Sequence, residues 1–376
     1  MADEKPPENC DLVSILSEVE DPRRAHGTLH KIEDVLTIAL CTILCGHSEF
    51  TEMEFFGELR EDWLRGFLEL PNGIPSHDTF RNVFSAISPS SFLEAFARWT
   101  GSVRHESDGE IVAFDGKALR GTKRGGKNIR TVVGAWAVDA GISLGQMEVD
   151  GKSNEIKALP PLLEFLDLKG CIVTTDAMGC QKEVASKIIE GGGDYVLALK
   201  GNQENLFTDA GEYLDGLIGE GLEAHVTEDH QRGRVEVRRF WAADMVEWMS
   251  GAEAWEGLRS VAAVELECVR NGKKTKERRY FITSLPPATE KIARAIRGHW
   301  GIENSLHWVL DVVFGEDRAR ARTRNGASNL SAMRRLCQNL IKREEQYSKW
   351  SVKKRKFAAS QNSKYLEKLL GLNLGA

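Results

Sequence analysis

The chain has 376 residues and a net charge of −6, with 41% hydrophobic and 28% charged residues. This composition is typical of a globular protein of two or three domains, and it excludes a disordered, collagen-like or disulfide-stapled chain. The acidic balance argues mildly against a nucleic-acid binder, since such proteins tend to be basic overall. The longest apolar run, Val35 to Cys45, is shorter than the ~20 residues that span a bilayer, and no hydrophobic signal segment begins the chain. We therefore expect a soluble, cytoplasmic protein with no membrane partner.

Residues 11–104 are predicted to be helical, because apolar positions recur at helical spacing, most clearly over 32–40. Proline and glycine interrupt this region at 71–75, after which Ser76 is expected to cap the next helix. That helix would be the second of a helix-turn-helix that reads DNA, with Arg81 exposed. The alternative is that two helices joined by a Pro/Gly turn simply pack together.

At Ile111 the pattern changes to short apolar strands. The predicted strands cover residues 111–114, 131–138, 142–149, 171–175 and 195–199, with helices over 155–168 and 181–190. Hairpin-linked strands followed by strands that alternate with helices predict a mixed sheet covered by helices. Residues 223–284 return to strands, which indicates a β-rich insertion. A long helix is then predicted over 289–314, followed by basic helical segments.

Two aspartates stand at the ends of predicted strands. Asp115 follows the strand 111–114, and Asp176 follows the strand 171–175. Strands one and four of such a sheet can lie side by side, which would bring the two carboxylates together. Facing carboxylates repel each other unless a cation neutralises them, and hard oxygen ligands of this kind favour Mg²⁺ or Mn²⁺. The alternative is that each aspartate only starts a turn or caps a helix.

A third acidic residue, Glu303, lies in the predicted helix 289–314. The apolar residues of this helix form a stripe, and His299 and Glu303 fall on it. Glutamate is rarely buried without a partner, so we expect Glu303 to serve a functional site. One alternative is an internal salt bridge to Arg297. Another is a zinc hydrolase site built on His299, Glu303 and His307, although the chain has no His-Glu-x-x-His pattern.

The segments around these acidic residues resemble the three acidic motifs of bacterial insertion-sequence DDE transposases, in the H-repeat-associated (DDE_Tnp_1-associated) branch. They read IVAFDGKALRG, IVTTDAMGCQ and RGHWGIENSLHWVLDVVFGEDRAR. The resemblance covers nearly the whole chain and extends to DPRRAHGTLHKIEDVLTIAL and GRVEVRRF. It implies an α/β fold with an RNase H-like mixed sheet flanked by helices and a β-rich insertion before the last catalytic helix. An all-α domain would precede the sheet.

The resemblance also implies a domain organisation. A helical domain that binds DNA ends would occupy residues 1–104. The catalytic domain would occupy residues 105–345, with its insertion near 220–285. A basic C-terminal tail would occupy residues 346–376.

The activity implied is that of a transposase, which cuts and joins phosphodiester bonds at the ends of its own element. Two divalent ions, Mg²⁺ or Mn²⁺, would be held by Asp115, Asp176 and Glu303, with Asp115 bridging both. The partners would be double-stranded DNA, as terminal inverted repeats and as target, and a second copy of the chain in a nucleoid-associated complex. An alternative is a catalytically idle descendant that only binds DNA.

The resemblance is incomplete around Glu303. In the wider superfamily this motif reads Tyr-x2-Arg-x3-Glu-x6-Lys, but the Tyr, Arg and Lys positions are occupied by Ile296, His299 and Leu310. The DNA contacts of those three residues therefore do not carry over. Trp300 of the motif is present in this chain. Three neighbouring side chains are expected to make DNA contacts in place of the missing ones: His299, Asn304 and His307.

Positive charge is concentrated between Arg318 and Lys356, where thirteen basic residues face only Glu344 and Glu345 and leave a charge of +11. Phosphate contact is the natural use of such a region, and the alternative is a solvated basic helix face. We expect DNA contacts from the following basic side chains: Arg23, Arg24, His26, Arg81, Lys117, Arg120, Arg318, Arg320, Arg322, Arg324, Lys353, Lys354, Arg355 and Lys356.

Overall fold

The N-terminal part of the chain is helical, as its apolar spacing predicts. The computed structural model describes residues 12–24, 28–104, 108–123, 129–149, 155–231, 234–270 and 273–372. The first helices are α1 (Leu12–Ser17), α2 (Ile32–Leu44), α3 (Phe50–Leu59), α4 (Glu61–Leu64), α5 (His77–Ala86) and α6 (Pro89–Val103). The side chain of Ser76 accepts a hydrogen bond from the backbone N–H of Thr79 and caps α5, as expected. Within the described ranges, no helix is long and apolar enough to cross a membrane.

A large mixed sheet follows. Its strands are β1 (Ile111–Leu119), β2 (Arg130–Ala137), β3 (Ile142–Val149), β4 (Ile172–Thr175), β5 (Asp194–Leu199), β6 (His225–Gln231), β7 (Arg234–Ala243), β8 (Ser260–Arg270) and β9 (Lys273–Thr283). Their spatial order is β3-β2-β1-β4-β5-β9-β8-β7-β6. β1 is antiparallel to β2 and parallel to β4, and β4 is parallel to β5. The order 3-2-1-4-5 is that of an RNase H-like sheet, which confirms the predicted fold class.

Helices cover both faces of this sheet. α7 (Glu155–Glu164), α8 (Lys182–Glu190) and α9 (Glu204–Gly219) pack on the face where Val112 and Phe114 are buried. The last long helices pack on the opposite face, against Ile111 and Ala113. Side chains alternate along a strand, so Asp115 points to the same face as Ile111 and Ala113. The sheet therefore presents Asp115 to the C-terminal helices.

The sheet differs from the prediction in two ways. β1 runs on through Asp115 to Leu119 instead of ending at Phe114, because β2 pairs with it from Val112 to Leu119. The β-rich region continues the same sheet, since β9 pairs antiparallel with β5. Neither α9 nor β6 is among the predicted elements.

The predicted helix 289–314 is divided into three parts. α10 (Thr289–Ile302) leads into a π-helical turn (Glu303–His307), and α11 (Trp308–Val312) follows. The remaining helices are α12 (Gly326–Arg343), α13 (Val352–Gln361) and α14 (Ser363–Leu370). A π-helical turn inside an α-helix adds one residue to a turn, and such turns occur frequently at functional sites.

The expected basic tail is not a tail, because α13 and α14 pack into the helical core. Leu366 and Leu370 are buried in the same cluster as the residues of α1 and α2. The indole N–H of Trp63 donates to Glu367 at 2.6 Å, and Arg60 donates to the hydroxyl of Ser363 at 2.6 Å. The apolar face of the amphipathic helix α14 therefore determines where this segment packs, and the basic residues that precede α14 do not keep it in solvent.

Replacing Leu366 by alanine is expected to destabilise the protein by about 2–5 kcal/mol, because the side chain is fully buried and its removal leaves a cavity. A lower melting temperature in thermal unfolding would show this. The matched control is Phe357→Ala, since Phe357 of the same helical pair is 68% exposed and should change stability little. Equal melting temperatures for Leu366→Ala and the parent chain would mean that α14 is not part of the cooperative core.

Candidate active site

Strand pairing brings Asp115 and Asp176 together. β1 and β4 are parallel neighbours with Phe114 opposite Thr175. Asp115 is the next residue in β1, and Asp176 is the first residue after β4. Since neighbouring strands lie about 4.8 Å apart, the two aspartates begin from adjacent backbone positions. The expectation that strands one and four adjoin is confirmed.

Each aspartate also makes a local hydrogen bond. One oxygen of Asp176 accepts from the backbone N–H groups of Met178 and Gly179 at 3.0 and 3.2 Å. One oxygen of Asp115 accepts from the backbone N–H of Gly116 at 2.9 Å. The turn-forming role weighed for Asp176 is therefore present, and it uses one oxygen of that carboxylate.

Glu303 stands at the junction of α10 and the π-helical turn, and α10 packs against β1 and β4. Its side chain is exposed and, with Asp115 and Asp176, lines a cavity of about 330 Å³. The expectation that Glu303 lies buried on the apolar stripe is wrong, because it faces this open cavity. The alternative salt bridge to Arg297 is also wrong, since Arg297 pairs with Asp229 at 3.0 Å.

The three carboxylates are close enough to affect one another. Burial raises the pKa of Asp115 to about 7, and the negative charges of Asp176, Glu303 and Glu155 contribute to this increase. Taking a carboxylate out of water and placing like charges beside it both disfavour its ionised form. The burial of Asp115 and the negative charges around it therefore disfavour its ionised form.

This repulsion predicts a pH-dependent effect of Asp115→Asn on stability. The raised pKa means that the folded chain loses stability as the pH rises from the ordinary value of 3.8 through about 7. In EDTA at pH 8, Asp115→Asn is therefore expected to stabilise the protein by about 2–4 kcal/mol, and the gain should vanish near pH 4. Melting temperatures at the two pH values measure it. An equal effect at both would show that the charge of Asp115 is not responsible.

The chemistry of these donors fits a hard divalent cation. Carboxylate oxygens are the ligands that Mg²⁺ and Mn²⁺ prefer, and a cation would relieve the repulsion at Asp115. The side chains are not preassembled as a coordination shell, since no three Asp, Glu, His or Cys side chains in the described ranges are grouped closely enough to hold one metal ion. Binding an ion therefore requires the carboxylates to turn towards each other across the cavity.

Two histidines flank the carboxylates. Burial lowers the pKa of His299 to about 4, and its Nδ1 lies 3.1 Å from the hydroxyl of Thr174. Burial, with the positive charges of Arg335 and Lys117, lowers the pKa of His307 to about 3. Its Nδ1 lies 3.5 Å from Asp115, too far for a good hydrogen bond. Both imidazoles are thus neutral at pH 7.

Trp300 and Asn304 lie on either side of Glu303. The Trp300 ring lines the cavity, and the guanidinium carbons of Arg238 and Arg279 lie 5.7 and 5.3 Å from its centre. Asn304 is exposed. Trp300 therefore lies at the cavity, and the contact of both side chains with DNA stays a prediction.

Lys117 is buried in an acidic network and is not exposed on the surface. Its ammonium lies 2.6 Å from Asp311, 3.6 Å from Glu316 and 3.9 Å from Asp317. The side chain is only 6% exposed. The expectation that Lys117 contacts DNA is wrong, because these three acids surround its charge.

The N-terminal residues expected to contact DNA fall into different environments. Arg23 is half-buried, pairs with Asp21 at 2.6 Å and donates to the carbonyl of His30. Its guanidinium is thus engaged within the chain. Arg24 and Arg81 are exposed. His26 lies outside the described residues.

The remaining basic residues expected to contact DNA divide into an exposed and a buried group. Seven expected DNA contacts are exposed: Arg120, Arg318, Arg320, Arg322, Arg324, Lys353 and Lys354. Arg355 is buried against Glu344 at 3.0 Å, and the ammonium of Lys356 lies 3.8 Å from the centre of the Phe314 ring. The expectation that Arg355 and Lys356 contact DNA is wrong, since both are buried by the packing of α13.

Sequence reasoning missed two features of this region. Arg334 and Arg335 counted as part of the basic surface, yet both are fully buried in α12. Their positions carried a signal, since Arg334 lies four residues after Leu330 on the apolar face of that helix. The second feature is Glu155, a further carboxylate near Asp115, for which the sequence gave no sign.

Comparison with known proteins identifies the family. Residues 13–100 match the family described as DDE_Tnp_1-associated, and residues 106–340 match the transposase DDE domain. YhhI of Escherichia coli strain K12, an H repeat-associated protein provisionally named a transposase, is 36% identical over 96% of this chain and 97% of its own. An uncharacterised protein from the dhlA 3′ region of Xanthobacter autotrophicus is 43% identical over 71% of this chain and 92% of its own.

Among solved structures, the piggyBac transposase synaptic complex with hairpin DNA aligns with 98% of this chain and 80% of its own, at 11% identity and a TM-score of 0.41. The strand order, rather than this distant similarity, shows the RNase H-like fold. The family matches cover more than half of the chain, and the E. coli relative covers almost all of it. The chain therefore belongs to the family of transposases with a DDE catalytic domain.

Proposed function

We propose that the chain is an active transposase that cuts and joins DNA at the ends of its own element, with Asp115, Asp176 and Glu303 as catalytic metal ligands. The observation that carries this proposal is the meeting of the three acidic motifs at one cavity. These residues are far apart in the sequence, and a merely structural carboxylate would not need the other two nearby. Asp176 and Glu303 repel the carboxylate of Asp115, and a bound cation would relieve this repulsion.

Phosphodiester cleavage builds negative charge on the attacking and the leaving oxygen. When bound, two divalent ions, Mg²⁺ or Mn²⁺, supply the charge that activates the attacking hydroxyl and stabilises the leaving oxygen. Asp176 and Glu303 both act electrostatically on Asp115, so Asp115 would contribute to both ion sites. Asp176 would complete one site and Glu303 the other.

Other residues of the cavity would hold the DNA backbone. Lys200, Arg278 and Arg279 line the same cavity as the three acids. These positive side chains would bind the phosphates that flank the reacting one, and so orient the strand for in-line attack. The neutral His299 and His307 add no charge to the site and leave the carboxylates available for cations.

The idle-descendant alternative predicts DNA binding without cleavage. Retention of all three acidic residues at one cavity favours an active enzyme. The zinc hydrolase alternative is weaker, because Nδ1 of His299 lies beside Thr174 and Nδ1 of His307 faces Asp115.

Nicking of DNA that carries the element ends tests the proposal. The substrate is the pair of matching inverted repeats in the DNA that flanks the coding region. Nicking at the repeats in Mg²⁺ or Mn²⁺, and none in EDTA, is the expected result. Binding without nicking in either metal would support the idle descendant, and nicking that depends on zinc content would support the hydrolase.

The proposed reaction also implies an assembly. Cutting two element ends in one event needs two active sites, so we expect a homodimer in the DNA complex. The N-terminal helices, with Arg24 and Arg81 exposed, are proposed to bind the element ends.

A further inference from the structure

A second, larger cavity lies beside the proposed active site. It is a groove of about 730 Å³ between the N-terminal helices and the segment 312–326 that follows α11. The start of α3 and part of α5 form one wall, and α12 forms the floor. We call it the arginine groove because five arginines line it: Arg81, Arg318, Arg320, Arg322 and Arg334.

An alternating sequence places three of these arginines along one wall. Residues 318–322 read Arg-Ala-Arg-Ala-Arg, and residues 319–322 lie outside helices and strands. In an extended chain alternate side chains point to the same side, so Arg320 and Arg322 are exposed while Ala319 and Ala321 are half-buried. Arg318, the last residue of a short 3₁₀ helix (Glu316–Arg318), is exposed as well. In the described part of the chain, no carboxylate lies within 4.0 Å of these guanidinium groups.

This wall is fixed to the catalytic sheet. Gly121, just beyond β1, packs so closely against the segment that a Cβ there would clash with the carbonyl oxygen of Ala319. Nε of Arg322 donates to the carbonyl of Gly121 at 2.9 Å. The position of the arginines relative to Asp115 is therefore set by the strand that carries the aspartate.

The floor of the groove holds a buried and unsatisfied charge. Arg334 is 1% exposed, and its Nε and Nη2 have no hydrogen-bond partner among the described residues. Glu316 acts electrostatically on Arg334, but leaving these two buried nitrogens without a hydrogen-bond partner still costs free energy that an anion would recover. Because this floor is buried, opposite charges also attract each other more strongly there than in bulk water. The groove is thus built for an anion.

We propose that the arginine groove holds the sugar–phosphate backbone of the DNA, in a contact that begins about four base pairs from the bond that is cut. This inference rests on the proposed function, because it takes the DNA to lie in the active site at the same time. A continuous polyanion matches the spaced arginines of the wall better than a single small anion would.

The spacing follows from the helix that joins the two cavities. Glu303 lines the active-site cavity, and Val312, nine residues later, lines the arginine groove. At about 1.5 Å per residue the two lie about 14 Å apart. One DNA strand advances about 3.4 Å per base pair, so the edge of the groove at Val312 lies about four base pairs along the DNA from Glu303.

Two acidic residues also line the groove, Glu49 and Glu52, and both belong to the capping box at the start of α3. Glu52 accepts from the backbone N–H groups of Ser48 and Glu49 at 2.8 and 2.9 Å, in a capping box at the start of α3. Arg81 pairs with Asp78 on its own helix. The backbone would therefore follow the wall of Arg318, Arg320 and Arg322 and pass over Arg334.

The test compares single glutamine variants in a DNA-binding assay. Fluorescence anisotropy with a 20-base-pair duplex in EDTA measures Kd without cleavage. For Arg320→Gln, Kd is expected to rise about tenfold at 100 mM salt, and the slope of log K against log salt should fall by about 0.9. Arg259→Gln is the matched control, since Arg259 is exposed just before β8 and does not line the groove. It should change Kd less than twofold.

Neutral methylphosphonates at single positions of the element end then locate the contact. The parent chain should lose affinity when the substituted phosphate lies about four base pairs from the cut. The Arg320→Gln variant, which already lacks the contact, should lose little further affinity on the same substitution. Arg334→Gln should behave like Arg320→Gln. If it fails to fold, Arg320→Gln alone still decides the result.

The outcomes separate this inference from the proposed function. If the parent chain does not nick DNA but Arg320→Gln still weakens binding relative to Arg259→Gln, the groove binds DNA and the nuclease proposal fails. If the parent chain nicks DNA and the two variants bind equally well, the groove inference is overturned.

Discussion

Changing Asp115, Asp176 or Glu303 to its amide is expected to reduce DNA nicking by about 10³-fold or more. Each change removes a negative charge from a site that must hold two divalent cations, and several kcal/mol of transition-state stabilisation depend on those cations. The three carboxylates line one cavity, so the three losses should be similar and should not add in double variants. Rates of nicking on the inverted repeats, at saturating Mg²⁺, measure the effect.

A matched control comes from the same helix. Glu290 lies in the first turn of α10 and is exposed, and Glu290→Gln makes the same chemical change as Glu303→Gln. It should leave nicking unchanged. All variants should keep the DNA affinity of the parent chain within a few-fold in EDTA. Full nicking by Glu303→Gln would show that Glu303 is not a metal ligand.

The second large effect is expected at Lys117, in the stability of the fold. Lys117→Met leaves the buried Glu316, and beside it Asp311 and Asp317, without the cation that lies among them. Removing one partner of a buried ion pair typically costs about 3–5 kcal/mol. A lower midpoint in urea unfolding should reveal a loss of this size.

Arg120→Met is the control for this change. Arg120 lies three residues further on, is 75% exposed and approaches Asp317 only to 3.8 Å, so its loss should alter stability by less than about 0.5 kcal/mol. Adding Asp311→Asn to Lys117→Met should recover part of the lost stability, because it removes one of the uncompensated charges. Equal midpoints for Lys117→Met and Arg120→Met would show that the network does not stabilise the fold.

Features that depend on local pattern could be predicted from the sequence. Strand alternation, hairpin links and the crossover helices predict a mixed sheet in which strands one and four can adjoin, and the structure places Asp115 beside Asp176 in this way. The cap at Ser76 is equally local. The acidic motifs predict the correct family because each of them places a particular residue type at a particular position in the fold.

Features that depend on tertiary contacts could not be predicted in the same way. The end of β1 is set by its pairing with β2, and the π-helical turn at Glu303 has no sequence signal that simple periodicity detects. Charge alone predicted Lys117, Arg355 and Lys356 on the surface, yet each is buried. Partners distant in the sequence, such as Asp311 for Lys117, decide whether a basic residue meets solvent or the core.

The most direct test is the location of Mn²⁺ in crystals of the protein with DNA, read from anomalous scattering. If Asp115, Asp176 and Glu303 bind the catalytic ions together, the manganese peaks will lie among their oxygens and disappear in Asp115→Asn. Manganese bound at His299 and His307, or elsewhere, with none among the three carboxylates, would contradict this assignment.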